Sequence, residues 1–366
     1  MLRLILELRA RYGIIPTVVM PRVTPEYAEW NIGKECAEYN IECISIRYYW
    51  FKNKRCLKSF LCCMANIFCY PMAYLRLRHG GYDMVHSNGS VISIGAYISR
   101  WMKVPHVWHL REFGSLGIGM ASLLGRKYES WIYSKADVLI AISNAVVEYY
   151  GRIVNKGKIR LVYNGIMVPA SVNRSCTPHG VVRFCLVGLL TEQKNQMEAL
   201  QAVNVLVNER GITNFHLTLI GKGMSDYATA LHSYMKERGL SSYVTFLGER
   251  SDVNALLDEM DVGLMLSYNE AFGRVTVEYM MHGMAVIASD SGANCEIVED
   301  GQTGLIYRLG DCHDLSLKMQ MLIDDRDKTV AFGTKGRNRA LALFTSGHNA
   351  RQVYDVYKEL YHQSYK

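Results

Sequence analysis

The stretch "DVGLMLSYNEAFGRVTVEYMMHGMAVIAS", residues 261–289, decides the fold class of this chain. Its first apolar run, 261–267, predicts a buried strand, "RVTVEYMMHG" predicts a helix, and "MAVIAS" (284–289) predicts a second strand. Strands that alternate with helices form βαβ units with parallel strands. The sequence therefore predicts an α/β protein.

The same alternation continues on both sides of this stretch. Short apolar runs separated by helical patterns predict six strands in the first half of the chain and six in the second, namely 16–20, 41–46, 82–87, 105–110, 136–142 and 159–165, then 182–188, 215–221, 243–248, 261–267, 284–289 and 303–307. This arrangement predicts two Rossmann-like domains.

The boundary between the two domains is predicted from length and composition. A chain of 366 residues is too long for one typical core, and "PASVNRSCTPHG" (169–180) is a polar, proline-containing linker candidate. We expect a first domain at 1–168, a second at 169–345, and a closing helix at 346–366 that crosses back to the first domain. Two such domains would face a cleft, with ligands beyond the carboxyl ends of the strands.

Charge and cysteine usage limit the choice of partners and compartment. Residues 1–170 contain 22 Lys and Arg against 11 Asp and Glu, whereas the remainder is mildly acidic, so the two halves are expected to meet different partners. The ten cysteines have no metal-ligand spacing, and the charged opening "MLRLILELRARYG" is not a secretory signal. We expect a cytoplasmic protein with free thiols and no nucleic-acid partner.

Two glutamates eight residues apart, Glu270 and Glu278, mark the first candidate site. Glu270 follows a strand at its carboxyl end, Gly273 lets a ligand approach the backbone, and a helix begins directly afterwards. The helix N-terminus can bind phosphate, and carboxylates accept hydrogen bonds from sugar hydroxyls. The pattern fits a sugar, a phosphate and a ribose in one ligand. Alternatively, the glutamates serve the helix dipole and the solvent.

A second candidate lies in "LVGLLTEQKNQMEALQA" (186–202), where Gly188 ends a strand and Lys194 precedes a helix. A lysine in this position suits a diphosphate, although a single loop lysine is more often simply solvated. "LIGKG" (219–223) lacks the spacing of a dinucleotide-binding loop, so a nicotinamide or flavin cofactor finds little support.

Together these motifs resemble the retaining family-four, or group 1, glycosyltransferases, which have the GT-B fold. "NEAFGRVTVEYMMHGMAVIAS" resembles the family's E-x7-E element, and "GLLTEQKNQ" occupies the place of its phosphate loop. "LGERSDVNALLDEMDVGLMLS" and "EIVEDGQTGLIY" are also similar to the family. "YDMVHSNG", "PHVWHLREFG", "ADVLIAISNAV" and "IRLVYNGI" extend a looser similarity through the first half.

The resemblance implies roles for the residues of the second domain. Glu278 is expected to bind the donor ribose and Glu270 the donor sugar at the reacting centre. Lys194, after Gly188, is expected to neutralise the diphosphate leaving group. Backbone amides are expected to meet sugar and phosphate oxygens at three positions: Phe272, Gly273 and Val275.

In the first domain the resemblance implies that His109 faces the donor sugar, with a core histidine as the alternative. Arg111 and Glu112 are expected near the acceptor. The implied reaction moves a sugar from a nucleotide donor to a glycan or lipid-linked glycan with retention, in polysaccharide biosynthesis. It needs no metal or other cofactor, because Lys194 and a helix N-terminus can stabilise the departing diphosphate.

Three departures from the family pattern qualify this expectation. Leu189 stands where the family has an arginine, Asn195 replaces a glycine, and Met1 already lies within the first helix pattern. Arg274 is the candidate for the missing cation. The first domain is expected to lack its opening strand, with a gap beside the strand at 16–20, so that the chain would be a shortened form of a longer protein or weakly active.

Two alternative functions remain for such a chain. They are a truncated, non-catalytic nucleotide-binding relic and a two-domain nucleotide-sugar epimerase.

Residues 51–78 form a basic, apolar segment. Lys52, Lys54, Arg55 and Lys58 precede its apolar part, which Pro71 interrupts, and Arg76 and Arg78 follow it. Such a segment fits an interfacial helix on an anionic membrane, near a lipid-linked acceptor and at the inner face of the membrane. The alternative is a domain helix with one buried face and basic ends.

Overall fold

The structure is a computed structural model that describes residues 1–22, 32–50, 57–114, 125–172, 180–223 and 226–364. It divides into two compact units, of which unit 1 comprises Met1–Gly165 and Ser346–Lys366, and unit 2 comprises Ile166–Thr345. The closing helix thus belongs to unit 1. Most of the linker candidate, 173–179, and residues 51–56 of the basic segment lie outside the described residues.

The described strands of unit 2 form one parallel sheet of six strands. They are β7 (Val182–Val187), β8 (Phe215–Ile220), β9 (Val244–Gly248), β10 (Val262–Met265), β11 (Ala285–Ser289) and β12 (Gly304–Tyr307). Their spatial order is β12-β11-β10-β7-β8-β9, and every pairing is parallel. This is the doubly wound order of a Rossmann fold.

Helices cover the sheet of unit 2, and its strands are apolar for that reason. Every residue of β10 and β11 is buried, as expected for strands enclosed on both faces. The helices are α7 (Gln196–Asn204), α8 (Asp226–Glu237), α9 (Val253–Asp258), α10 (Arg274–Met281), α11 (Asn294–Ile297), α12 (Cys312–Asp324) and α13 (Arg326–Leu343).

The sheet order of unit 2 contains a switch point between β7 and β10. The chain runs outward from β7 through β8 to β9, and then returns to β10 on the other side of β7. The connections after β7 and β10 therefore diverge at the carboxyl edge of the sheet, which is where doubly wound sheets bind ligands. These two connections contain Lys194 and Glu270.

The described strands of unit 1 form two parallel sheets. β1 (Thr17–Pro21) pairs with β2 (Glu42–Ile46), and among the described strands with no other. The second sheet has the order β3-β4-β5-β6, with β3 (Val85–Asn88), β4 (His106–Leu110), β5 (Val138–Ala141) and β6 (Ile159–Leu161). The edge of β1 away from β2 is where the sequence predicted a gap.

Seven helices of the described residues pack on the sheets of unit 1: α1 (Leu2–Tyr12), α2 (Ile32–Glu38), α3 (Leu57–Leu77), α4 (Ile94–Met102), α5 (Gly125–Tyr133), α6 (Asn144–Gly151) and α14 (Ser346–Ser364). The first and last helices lie together, since the rings of Tyr12 and Tyr354 stack at 4.0 Å. They share one apolar cluster with Val107 of β4 and Ile140 of β5. The closing helix is therefore an integral part of the core of unit 1.

Candidate functional site

The lysine and the first glutamate predicted from sequence meet at the switch point of unit 2. Lys194 Nζ lies 3.0 Å from Glu270 Oε2. The two connections are also joined by their backbones, because the Tyr268 amide donates to the Gln193 carbonyl at 3.0 Å. Residues 76 positions apart in sequence thus form one partly exposed charged pair.

Both carboxylate oxygens of Glu270 accept hydrogen bonds. Its Oε2 accepts from Lys194, and its Oε1 accepts from the Gly273 amide at 3.2 Å. Its backbone carbonyl accepts from the Ala293 amide at 2.8 Å. Because both carboxylate oxygens and the backbone have partners, the orientation of Glu270 is fixed before any ligand binds.

Asn195 adopts a backbone conformation that glycine adopts freely. Residues Glu192–Lys194 form one turn of 3-10 helix, and Asn195 follows with φ +56°, in the left-handed region. Glycine adopts this conformation freely, and asparagine is among the few other residues that do so readily. The Asn195 side chain also donates to Glu198. Replacement of the family's glycine is therefore compatible with the same backbone path.

The second departure, Leu189, leaves an apolar side chain at the loop. This side chain is largely exposed, and its backbone carbonyl accepts from Gln196 Nε2 at 2.9 Å. The candidate substitute, Arg274, is the first residue of α10 and is also exposed. Its guanidinium lies 3.8 Å from Glu278 Oε1. Arg274 is thus positioned on the same helix end as the predicted phosphate site.

Helix α10 presents its N-terminus at the site. Gly273 immediately precedes it with φ +74°, and the first N–H groups of any helix lack intrahelical acceptors. Val275 lies in this first turn. The Phe272 side chain is buried and packs edge-on against Phe344 at 5.8 Å. The predicted contribution of Phe272 therefore concerns its backbone, because its ring belongs to the core.

Glu278 lies one turn further along α10 and is half-buried. Burial raises the pKa of its carboxyl group above the usual value, and the nearby Arg274 partly opposes this shift. The next residue, Tyr279, is fully buried, and its hydroxyl accepts from the Val187 amide at 2.7 Å. Tyr279 thus fixes α10 against the end of β7, which places Glu278 relative to the phosphate loop.

Two glycines that sequence analysis did not assign to the site allow the loops to approach each other. A Cβ on Gly292 would lie 2.2 Å from the Glu270 carbonyl oxygen, and a Cβ on Gly221 would lie 1.9 Å from the Gly188 carbonyl oxygen. Both glycines have positive φ angles. The sequence signal for them, glycine within a turn after a strand, is too common to identify a site.

His109 of unit 1 lies near the carboxyl end of β4. It is fully buried, and neither of its ring nitrogens has a hydrogen-bond partner among the described residues. Burial lowers its pKa well below the usual histidine value, and Arg111 and His86 lower it further. The His86 ring lies 5.4 Å from the ring of His109. Nδ1 of His86 is 2.6 Å from the Tyr357 hydroxyl. His109 is thus a neutral side chain with unused donor and acceptor capacity.

Arg111 and Glu112 follow β4 directly. Arg111 donates to Asn88 Oδ1 at 2.6 Å and to Asn164 Oδ1. Glu112 Oε1 accepts from both the amide and the hydroxyl of Ser90, each at 2.7 Å. Both side chains therefore stabilise the connections at this edge of unit 1, which sequence analysis did not anticipate.

Among the residues that the structure describes, no three or more His, Cys, Asp or Glu side chains are grouped so that they could hold a metal ion. The eight cysteines in the described ranges are free thiols.

Comparison with known proteins assigns both units to one class of enzyme. The family model of group 1 glycosyl transferases matches residues 174–339, and the model of glycosyltransferase family 4 matches residues 2–168. An uncharacterized glycosyltransferase of Methanocaldococcus jannaschii is 25% identical over 308 residues, which are 83% of each chain. A lipopolysaccharide core biosynthesis mannosyltransferase of Rhizobium leguminosarum is 24% identical over 280 residues, 69% of this chain and 78% of that protein.

A solved structure shares the fold over nearly the whole chain. HepE from Anabaena, crystallised with UDP, superposes with a TM-score of 0.80 at 19% identity, covering 97% of this chain and 95% of that one. The same protein has also been crystallised with UDP-glucose. The neighbours are GT-B glycosyltransferases with two Rossmann-like domains, which confirms the predicted fold class. Each unit thus matches a glycosyltransferase model, the group 1 model on residues 174–339 and the family 4 model on residues 2–168, and the chain is a glycosyltransferase of the hexosyltransferase type.

Proposed function

We propose that this enzyme transfers a hexosyl group, with retention, from a nucleoside diphosphate sugar to a hydroxyl of a glycan or lipid-linked glycan. The observation that carries the proposal is the Lys194–Glu270 pair at the switch point, beside the N-terminus of α10. One cation and one helix end suit a diphosphate, and one fixed carboxylate suits the hydroxyls of the attached sugar. The names of the Rhizobium relative and of the Anabaena complexes support polysaccharide biosynthesis and a uridine nucleotide as the first donor to test.

The proposed step breaks the bond between the anomeric carbon and the β-phosphate oxygen. The electron pair leaves with the diphosphate, where Lys194 and the amides at the start of α10 stabilise the added charge. The acceptor hydroxyl oxygen forms the new bond on the face that the phosphate leaves. Its proton passes to the departing phosphate oxygen, so that no side chain is required as the base and no metal is expected.

We assign Glu278 to binding of the donor ribose. Its position is supported by Tyr279, whose hydrogen bond joins α10 to the end of β7. A carboxylate can accept from both ribose hydroxyls at once. In unit 1, His109 is the proposed hydroxyl-binding group for the donor sugar. A neutral imidazole with both nitrogens unused can donate to one sugar oxygen and accept from another.

The experiment is a donor screen followed by product analysis. Purified enzyme is titrated calorimetrically with nucleoside diphosphates and their hexose conjugates, and the best donor is then incubated with glycan acceptors in the presence of EDTA. We expect release of the nucleoside diphosphate that depends on an acceptor, and a product whose anomeric configuration, measured by NMR coupling, equals that of the donor. An altered free sugar without acceptor would indicate an epimerase, an inverted product would exclude retention, and nucleotide binding without turnover on any acceptor would favour the non-catalytic alternative.

A further inference from the structure

Helix α3 of unit 1 has one buried face that is well matched to its neighbours. Four residues on this face, Cys69, Tyr70, Ala73 and Leu77, are buried against the end of β2 and helix α4. The Tyr70 hydroxyl is 2.8 Å from the hydroxyl of Ser93. One turn earlier, the buried side-chain amide of Asn66 bonds both the amide and the carbonyl of Tyr49 at 3.0 Å. These bonds fix which way α3 faces.

The opposite face of α3 is apolar and exposed. Its large side chains are between 44% and 74% exposed; Met64 is the least exposed and Phe68 the most exposed. Soluble proteins seldom expose so many large apolar side chains on one surface without a binding partner. We call this surface the outer face of α3; it consists of Phe60, Leu61, Met64, Ile67, Phe68, Met72 and Leu75.

The outer face spans a length that suits a surface rather than a small pocket. At a rise of about 1.5 Å per residue, Phe60 and Leu75 are about 22 Å apart along the helix. Residues 60–77 are also long and apolar enough to cross a membrane by composition, with 22% of that window buried inside the protein. A crossing helix would have to abandon the Asn66–Tyr49 and Tyr70–Ser93 bonds. These bonds support a helix that lies on a bilayer while remaining part of unit 1.

The charges around α3 are all of one sign. Between Glu42 and Asp83 the sequence contains no acidic residue and seven Lys and Arg residues, and residues 59–75 contain no charged residue at all. Arg76 and Arg78, at the carboxyl end of α3, are exposed. An apolar strip bordered by cations fits the acyl chains and headgroups of an anionic membrane.

The same charge pattern disfavours a second copy of this chain as the occupant. If two outer faces packed together, the basic ends of both helices would meet, and the segment 43–82 offers no carboxylate to neutralise them. Like charges brought together in this way repel. Anionic lipid supplies the missing negative charge, and a self-association partner does not.

Two exposed tryptophans lie beside this surface. Trp101 of α4 packs edge-on against Tyr74 of α3 at 5.8 Å. Trp131 of α5 contacts Tyr97, which also belongs to α4, at 6.4 Å. Both tryptophan residues are more than a third exposed. Tryptophan and tyrosine are enriched where proteins meet the headgroup layer of a bilayer, because their rings are apolar and carry one polar group.

We propose that the outer face of α3 is a membrane-docking surface that inserts into the headgroup layer of a bilayer containing anionic lipids, with Arg76 and Arg78 on the phosphates. The protein would then be peripheral, held by apolar insertion and by charge. This inference concerns a surface of unit 1 and does not rest on the proposed reaction, because lipid binding requires no nucleotide or acceptor.

The test is co-sedimentation of the full chain with vesicles of phosphatidylcholine alone or mixed with phosphatidylglycerol. We expect binding that needs the anionic lipid and weakens as salt rises, because screening shortens the reach of the charges. The double variant Phe68→Ser, Met72→Ser is expected to bind more than about tenfold less, since it removes two large inserting side chains. The quadruple variant with Lys52, Lys54, Arg55 and Lys58 changed to glutamine is expected to abolish binding to anionic vesicles.

A matched control changes two exposed apolar residues elsewhere on the protein. Leu317→Ser, Val330→Ser alters side chains of unit 2 that are 49% and 43% exposed, and it should leave vesicle binding unchanged. The proposal is overturned if wild type fails to bind anionic vesicles, if it binds neutral vesicles equally at all salt concentrations, or if the α3 variant binds as well as the control. A lipid-free dimer that only the α3 variant dissociates would identify a second copy as the occupant and would also overturn it.

Discussion

Lys194 Nζ and Glu270 Oε2 are 3.0 Å apart at the switch point of unit 2, so the cation expected to bind the diphosphate and the carboxylate expected to bind the sugar are partners of each other. A charged pair of this kind, partly exposed, adds little to stability. It does, however, determine what each side chain can offer a ligand. A diphosphate must compete with Glu270 for Lys194, and an entering nucleotide that displaces this bond leaves Glu270 oriented by the Gly273 amide.

The pair leads to opposite expectations for its two members. Lys194→Met removes a hydrogen-bonded cation, which should weaken binding of the nucleoside diphosphate by about 1.5–3 kcal/mol. Glu270→Gln should leave binding of the same ligand unchanged or tighter, because Lys194 no longer shares its charge, while turnover of the nucleotide sugar falls. Calorimetry with the nucleoside diphosphate, followed by rate measurements, separates the two effects.

Lys222→Met is the matched control for the lysine variant. Lys222 forms a more exposed pair with Glu249 at 3.6 Å, also in unit 2 and at the end of a neighbouring strand. We expect this variant to bind nucleotide like the wild type. Equal losses of nucleotide affinity for Lys194→Met and Glu270→Gln would contradict the assignment of separate roles.

Glu278 gives a prediction about pH. Burial raises the pKa of this carboxyl group, so it takes up a proton at a higher pH than an ordinary glutamate does. A protonated carboxyl group loses part of its capacity to accept from ribose hydroxyls, and nucleotide affinity should therefore fall as the pH is lowered from neutral toward the raised pKa.

The variant Glu278→Gln should bind nucleotide about 1–3 kcal/mol more weakly at neutral pH and should lose this part of the pH dependence. The nucleotide's own phosphate titrates equally in both experiments, so the difference between the two affinity–pH curves isolates Glu278. Parallel curves for wild type and variant would exclude Glu278 as the titrating group.

Much of the architecture follows from hydrophobic periodicity alone. All twelve predicted strands are present, because each is a short apolar run bounded by turn residues, as enclosed parallel strands require. Periodicity does not determine strand order, and so the switch point between β7 and β10 emerged only from the pairing. The same limit applies to the two separate sheets of unit 1.

The sequence predicted the residues of the candidate site but not the contacts between them. Strand ends indicated Lys194 and Glu270 separately, but their distance depends on the sheet order, which places β7 beside β10. From sequence, Asn195 is a departure from the family pattern. Its φ of +56° lies in the left-handed region, which glycine adopts freely and asparagine also tolerates. Tyr279 was not anticipated at all, because one aromatic residue within an apolar helix face gives no signal of the backbone amide that it bonds.

Three buried histidines should make unit 1 sensitive to acid. Burial lowers the pKa of His86 and of His106 to about 3, and it lowers the pKa of His109 well below its usual value. Unfolded histidines titrate near 6.5, so below that pH the unfolded chain binds protons that the folded chain refuses. Stability is therefore full above about pH 6.5 and is lost as the pH falls toward 3, by up to about 1.4 kcal/mol per histidine for each pH unit.

Urea unfolding followed by tryptophan fluorescence tests this prediction selectively, because all five tryptophans lie in the segment of the chain that belongs to unit 1. Comparison of the slope of stability against pH between about 7.5 and 5 avoids the packing cost of each substitution. His106→Gln should reduce the slope by the contribution of one proton, and His313→Gln, which changes an exposed histidine of unit 2, should not. A slope that His106→Gln leaves unchanged would contradict the prediction.

Gly292 offers the sharpest test of whether the position of Glu270 determines activity. It has φ +62°, and a Cβ built on it would lie 2.2 Å from the Glu270 carbonyl oxygen and 2.7 Å from its amide nitrogen. These are backbone atoms that cannot rotate away, so Gly292→Ala must displace Glu270 and break the bond from Ala293 to its carbonyl.

Gly301 is the matched control, since it has φ +69° and nothing within 4 Å of a built Cβ. Both alanine variants bear the left-handed backbone strain of about 1–2 kcal/mol, and only Gly292→Ala adds the collision. We expect Gly301→Ala to lose stability with kcat/KM unchanged, and Gly292→Ala to lose at least about tenfold in kcat/KM, the size of effect that small displacements of a reacting group produce. Thermal unfolding and steady-state kinetics on both variants provide the comparison, and equal activities for the two would show that the contact between Gly292 and Glu270 does not set the geometry of the reaction.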